Sequence, residues 1–193
     1  MLLPNLQGKQ IILASQSPRR QALLEGLELK FEVRVKDIDE TYPDTLKRED
    51  VALYLANLKA DAHMSTLNED EILITSDTIV CLDGDILNKP LDRSDAIGML
   101  HRLSGATHTV VTAVAIRSKA KSELFHDETE VTFCSLSDDE IIHYVDKYEP
   151  FDKAGAYGAQ DLLGYIAIEK MVGSYYTVMG FPLHKVYNSL KNF

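Results

Sequence analysis

The 193-residue chain is short of several things, and each shortage narrows what it can do. It has two cysteines, Cys81 and Cys134, far apart, in apolar surroundings and outside any CxxC pair. They read as buried thiols rather than as a disulfide or a metal site. No apolar stretch approaches the roughly 18–20 residues needed to span a bilayer. The opening MLLPNLQGKQ has neither the basic flank nor the apolar segment of a signal peptide. A cytoplasmic protein without membrane contact is therefore expected. Positive charge is also scarce, with 20 Lys and Arg against 30 Asp and Glu and a formal net charge of −10. Nucleic-acid polymers are held by a broad positive footprint that this composition does not spread, so no such partner is expected, although a small basic pocket remains open. The chain lacks GxGxxG and GxxxxGK[ST], which removes the Rossmann and P-loop modes of nucleotide binding. It lacks HExxH and a GxSxG elbow as well, and its six histidines are scattered.

What is present is an alternation of strand-like and helix-like segments within a length suited to one domain, residues 1–193, or to one domain with two lobes. The run from Ile11 to Ala14 reads as a buried strand, and Ser17-Pro18 as a helix start. FEVRV alternates as a half-buried strand. Residues 48–64 carry Val51, Leu55, Leu58 and Ala62 at helical spacing. EILITSDTIVCLDGDIL reads as two strands joined at Asp83-Gly84, the strongest short hairpin signal available. A helix capped by Asp92 or Ser94 follows, then the paired strands THTVVTAVAIR and ELFHDETEVTFCSL, a helix with a capping box at Ser137 and Glu140, a strand over LGYIAIEKM and a last helix begun by Pro182. Mixed strand order with intervening helices predicts an α/β fold with a mixed twisted sheet flanked by helices.

Several places interrupt this pattern with chemistry. Arg19 and Arg20 fall in the first turn of the helix begun by Ser17, where the backbone dipole favours an anion. Either they are solvent-screened surface arginines, or they combine with the helix end and the Ser15 and Ser17 hydroxyls into an anion site. TSDT, Thr75 to Thr78, breaks an otherwise apolar strand with four polar residues, one of them ionisable. A bulge or a solvent-facing strand end would explain it, and so would Asp77 fixed on a rigid strand as general base or metal ligand. Lys59 and Lys89, taken singly, read as ordinary surface lysines. The acidic DIDE, with Asp37 and Glu40, offers hard oxygen ligands or merely a solvated loop. In FDKAGAYGAQ, Gly155 and Gly158 permit close backbone approach or positive φ, so Asp152, Lys153 and Gln160 either line a pocket or belong to a turn.

Taken in order, ILASQSPRR, DIDE, the Lys59 helix, TSDTIV, NKP, RLSGATHTVVTAVAI, EVTF with SDDEI, and YEPFDKAGAYGAQ closely resemble the Maf family of nucleoside triphosphate pyrophosphatases, relatives of the inosine triphosphate pyrophosphatases. The resemblance covers nearly the whole chain. It implies an inosine-triphosphatase-like, two-lobed single domain with a central cleft, and hydrolysis of a nucleoside triphosphate to the monophosphate and pyrophosphate. FDKAGAYGAQ resembles the branch acting on dTTP and UTP; the sibling branch acting on 7-methylguanosine triphosphate is the alternative, and a nucleotide-binding regulator of cell division that leaves its ligand intact is another. By position, the resemblance gives Asp77 the role of proton acceptor, and Arg20, Thr78 and Gln160 that of pyrimidine selection. The mechanism expected on this basis has Arg19, Arg20, Lys59 and Lys89 clamping the phosphates, Ser15 and Ser17 adding donors, and a divalent cation, Mg²⁺ or Mn²⁺, on Glu40 and Asp77, with Asp152 and Lys153 kept beside Gln160 as substrate-binding candidates. A homodimer is the default assembly.

Overall fold

Two kinds of punctuation, apolar runs and the residues that end them, set the elements of the computed structural model, which describes residues 3–193. The apolar run Ile11–Leu13 buries all three side chains in β1 (Gln10–Leu13), which pairs in parallel with β2 (Phe31–Val33) and with β3 (Glu71–Leu82). Parallel neighbours need crossovers, and α1 (Pro18–Glu25) and α2 (Glu49–His63) supply them. β3 buries eleven of its twelve residues, which suits a strand covered on both faces. It turns at Asp83 and Gly84, with φ of 52° and 90° as a tight hairpin turn demands, into antiparallel β4 (Asp85–Leu87).

Asp92 caps α3 (Arg93–Leu103) by accepting the Asp95 N–H. β5 (Thr107–Arg117) and β6 (Ser122–Phe133) form a hairpin: Ser118 N donates to Lys121 O at one end, and Phe133 N to Ala106 O at the other. α4 (Asp138–Tyr148) begins with the full Ser137–Glu140 capping box. The segment LGYIAIEKM is not one strand; it divides into α5 (Leu162–Ile166) and β7 (Ile168–Val172), which runs antiparallel to β6. Last come α6 (Tyr175–Val178) and α7 (Leu183–Leu190).

The seven strands form one mixed sheet in the order β2-β1-β3-β5-β6-β7, with β4 beside β3, as the α/β reading anticipates. Among the described residues no helix is long and apolar enough to cross a membrane.

The chain divides into two compact units, residues 1–77, 112–127 and 180–193, and residues 78–111 and 128–179. The first is built on Leu13, Leu24, Ile72, Ile74, Ile116 and Phe181. The second is built on Leu100, Leu103, Val131, Phe133, Tyr144 and Leu163. Each such side chain stabilises its unit by about 1.5–3 kcal/mol relative to exposure.

Candidate active site

In the first unit, β1 leads through Ala14–Ser17 into α1, and Pro18 at the first helical position fixes the entry. Ser17 stands at the N-cap, yet its side chain makes no capping bond; instead its N–H donates to Ser15 Oγ at 3.2 Å. Arg20 turns inward. Its Nε donates to Gly180 O at 2.8 Å, and Nη1 donates to Ser76 O at 2.9 Å, with Ser15 Oγ at 3.4 Å. Ser76 Oγ reaches the same Gly180 carbonyl at 3.1 Å. The guanidinium is thus clamped on main-chain oxygens of β3 and of the turn at Gly180, whose φ of 90° suits glycine. Burial lowers its pKa below the usual arginine value, opposed by the charge of Asp77. Arg19 is half-buried and close enough to add repulsion.

TSDT lies inside β3 rather than at a bulge or strand end. The two-residue period of a strand sends Thr75 and Asp77 to one face and Ser76 to the other. Thr75 Oγ1 donates to Ala56 O of α2 at 2.7 Å. One helical turn further along α2, Lys59 Nζ donates to Asp77 Oδ1 at 2.6 Å and lies 3.0 Å from Glu40 Oε2. Asp77 is 8% exposed, and burial raises its pKa above the ordinary aspartate value, with Lys59 and Arg20 pulling the other way. The structure therefore brings together Ser15, Arg20, Glu40, Lys59 and Asp77. Arg19, Arg20 and Lys59 bring cationic groups beside the carboxylates of Glu40 and Asp77.

Glu40 Oε2 and Asp77 Oδ1 both contact the Lys59 ammonium, so these two carboxylates are the ones that would hold a cation here. Hard carboxylate oxygens fit Mg²⁺ or Mn²⁺. Among the described residues no three His, Cys, Asp or Glu side chains gather as a complete metal site, so the other ligands of such an ion would come from phosphate oxygens and water.

The remaining sequence candidates belong to the second unit. Thr78 follows Asp77 on β3 and is half-buried, and Lys89 is exposed after β4. Lys153 Nζ lies 2.7 Å from Asp152 Oδ1 and 3.8 Å from Asp161 Oδ2, so its charge is already engaged within its own loop. Gly155 has φ of 67° and donates its N–H to Asn88 O at 3.2 Å; a Cβ there would meet Val80 at 3.0 Å. Gln160 sits half-buried in the turn before α5. Reading by residue type missed three participants. Gly180 contributes a carbonyl, which no side-chain pattern signals. Tyr144 and Asp161 hold the Gln160 turn, and Tyr144 looks like an ordinary core residue on an amphipathic helix.

A mixed sheet whose long buried strand carries an Asp paired with a Lys of the neighbouring helix, beside an inward-turned arginine, defines an α/β protein with a buried centre of mixed charge. The chain belongs to the family described as Maf-like protein, which matches residues 10–193. It is 49% identical over 193 residues to a dTTP/UTP pyrophosphatase of Parabacteroides distasonis, covering 100% of both chains. A protein of the same name from Porphyromonas gingivalis is 50% identical over 195 residues, covering 100% of this chain and 98% of that one. Another from Flavobacterium psychrophilum is 48% identical over 192 residues, with 100% and 98% covered. Among solved structures, the Ham1 protein of Staphylococcus aureus aligns with a TM-score of 0.47 and 17% identity over 94% of this chain and 100% of that one.

Proposed function

We propose that the protein hydrolyses nucleoside triphosphates, chiefly dTTP and UTP, between the α and β phosphates, giving the nucleoside monophosphate and pyrophosphate. The observation that carries this reading is the buried pair of 2.6 Å between Asp77, in the middle of β3, and Lys59 of α2, beside Arg20. The names of full-length relatives at about half identity support the substrate class.

A carboxylate made more basic by burial and aimed by an ammonium is suited to take a proton from water. In this reading Asp77 accepts that proton as the water oxygen bonds to the α phosphorus. The bond from the α phosphorus to the bridging oxygen breaks, and its electrons leave with pyrophosphate. Arg19, Arg20, Lys59 and Lys89 neutralise phosphate oxygens, and the Ser15 and Ser17 groups add donors, so positioning and electrostatics supply most of the rate. A divalent cation on Glu40 and Asp77 would add charge neutralisation at the phosphates. Thr78 and Gln160 face the pyrimidine edge, where an amide both donates and accepts. Asp152 and Lys153 line the pocket beside Gln160. The protein works in the cytoplasm as a homodimer that clears unwanted pyrimidine nucleotides.

The test is pyrophosphate release from dTTP, UTP, CTP, GTP, ATP and 7-methyl-GTP with Mg²⁺ or Mn²⁺. We expect release from dTTP and UTP, and a loss of about 10²–10⁴-fold in Asp77→Asn. Near-normal turnover by that variant overturns the role of Asp77. Activity confined to 7-methyl-GTP overturns the pyrimidine reading, and binding without hydrolysis overturns the enzymatic one.

A further inference from the structure

In the second unit, the turn Gly158–Ala159–Gln160–Asp161 is closed by the Asp161 N–H donating to Gly158 O at 3.1 Å. One buried hydroxyl touches both of its corners. Tyr144 Oη, carried by α4, accepts the Gly158 N–H at 3.1 Å and donates to Asp161 Oδ2 at 3.2 Å. Two glycines let the turn close so tightly. A Cβ on Gly158 would lie 2.4 Å from Asp161 Oδ2 and 2.9 Å from Gln160 Nε2, and a Cβ on Gly164 would lie 1.8 Å from Ala159 O. The Gln160 amide nitrogen is therefore folded against Gly158, and its placement follows that of the turn. The Tyr144 ring is fully buried and stacks on Tyr148, with centroids 5.0 Å apart. A phenylalanine would keep that packing and avoid burying a hydroxyl, so the oxygen serves the turn and not the core.

The geometry points to Tyr144 as a positioning residue for base selection: its hydroxyl fixes the turn that presents the Gln160 amide to the pyrimidine edge. This rests on the role given to Gln160 under the proposed function. Uracil and thymine present a carbonyl and an N–H where cytosine presents an amino group and a bare ring nitrogen. A held amide matches one pattern, and a loosened one can reorient to meet either.

The experiment measures kcat and KM with UTP and with CTP for the full-length protein, Tyr144→Phe, Asp161→Ala and Asp161→Asn. In Tyr144→Phe the UTP-over-CTP ratio of kcat/KM falls about tenfold, with KM for UTP rising and kcat nearly unchanged. Asp161→Ala does the same, and it carries the test should Tyr144→Phe not fold. Asp161→Asn keeps the preference, because its amide oxygen still accepts the hydroxyl. Unchanged selectivity in Tyr144→Phe or Asp161→Ala, beside a selective wild type, overturns this assignment alone. A wild type inactive on both nucleotides overturns the parent reading and this one with it.

Discussion

Glu71 and Asp77 open and punctuate the same strand, and they show how differently two buried carboxylates can be treated. Arg34 grips Glu71 with two N–H groups, at 3.0 and 2.8 Å, and Asn68 N donates at 2.8 Å. The Arg34 hydrogen bonds, aided by Asn68, hold its pKa down to about 2 from the ordinary 4.5. A carboxylate with a lowered folded-state pKa contributes stability that is complete above the unfolded value and lost as pH falls toward the folded one. Between pH 4.5 and about 2, the wild-type melting temperature therefore rises with pH, and Glu71→Gln flattens that rise. Equal slopes in calorimetry across that window would exclude the effect. At Asp77 burial is the largest influence and the shift runs upward. The sequence exposed Asp77 because four polar residues break an apolar strand. It gave no sign of Glu71, since an acidic residue at a strand boundary looks solvent-facing, and its partner Arg34 lies 37 positions away.

Elements set by local chemistry are legible in the sequence. The Asp83-Gly84 hairpin and the Ser137–Glu140 capping box each depend on residues a few positions apart, and of the two cap candidates for α3, Asp92 and Ser94, the structure uses Asp92. α5 was not readable, because Tyr165, Ile166 and Ile168 continue the β-like composition of the strand that follows. What makes it a helix is the closed turn ahead of it and the approach of Gly164 to the Ala159 carbonyl, a contact that needs a missing side chain. Two alanine substitutions at helical glycines are thus expected to have opposite signs. Gly164→Ala drives a Cβ into backbone and destabilises by about 1–3 kcal/mol. Gly98→Ala, in α3, meets nothing within 4 Å and stabilises by up to about 1 kcal/mol through helix propensity. Urea unfolding midpoints of the two variants decide the matter.

At the scale of the whole molecule, an acidic chain gathers several cationic groups in one place. A chain of −10 repels polyanions at long range, while Arg19, Arg20 and Lys59 gather cationic groups in a small volume. On the proposed function, a small triphosphate bound at this cluster stabilises the fold by linkage. A non-hydrolysable dTTP analogue at a hundredfold excess over its Kd adds about 2.7 kcal/mol. That corresponds to a rise of about 5–10 °C in melting temperature for a chain of this size. A melting curve unmoved by saturating analogue contradicts nucleotide binding altogether.

The polar interruption of β3 also acts before any fold exists. Without it, residues 71–82 would be a single β-prone segment rich in isoleucine, leucine and valine, of the kind that stacks between chains as they emerge from synthesis. TSDT splits that segment into two pieces too short and too polar at their junction to stack readily. An aliphatic replacement at Asp77 would lengthen the continuous apolar run, and the expected outcome is a more aggregation-prone chain during synthesis.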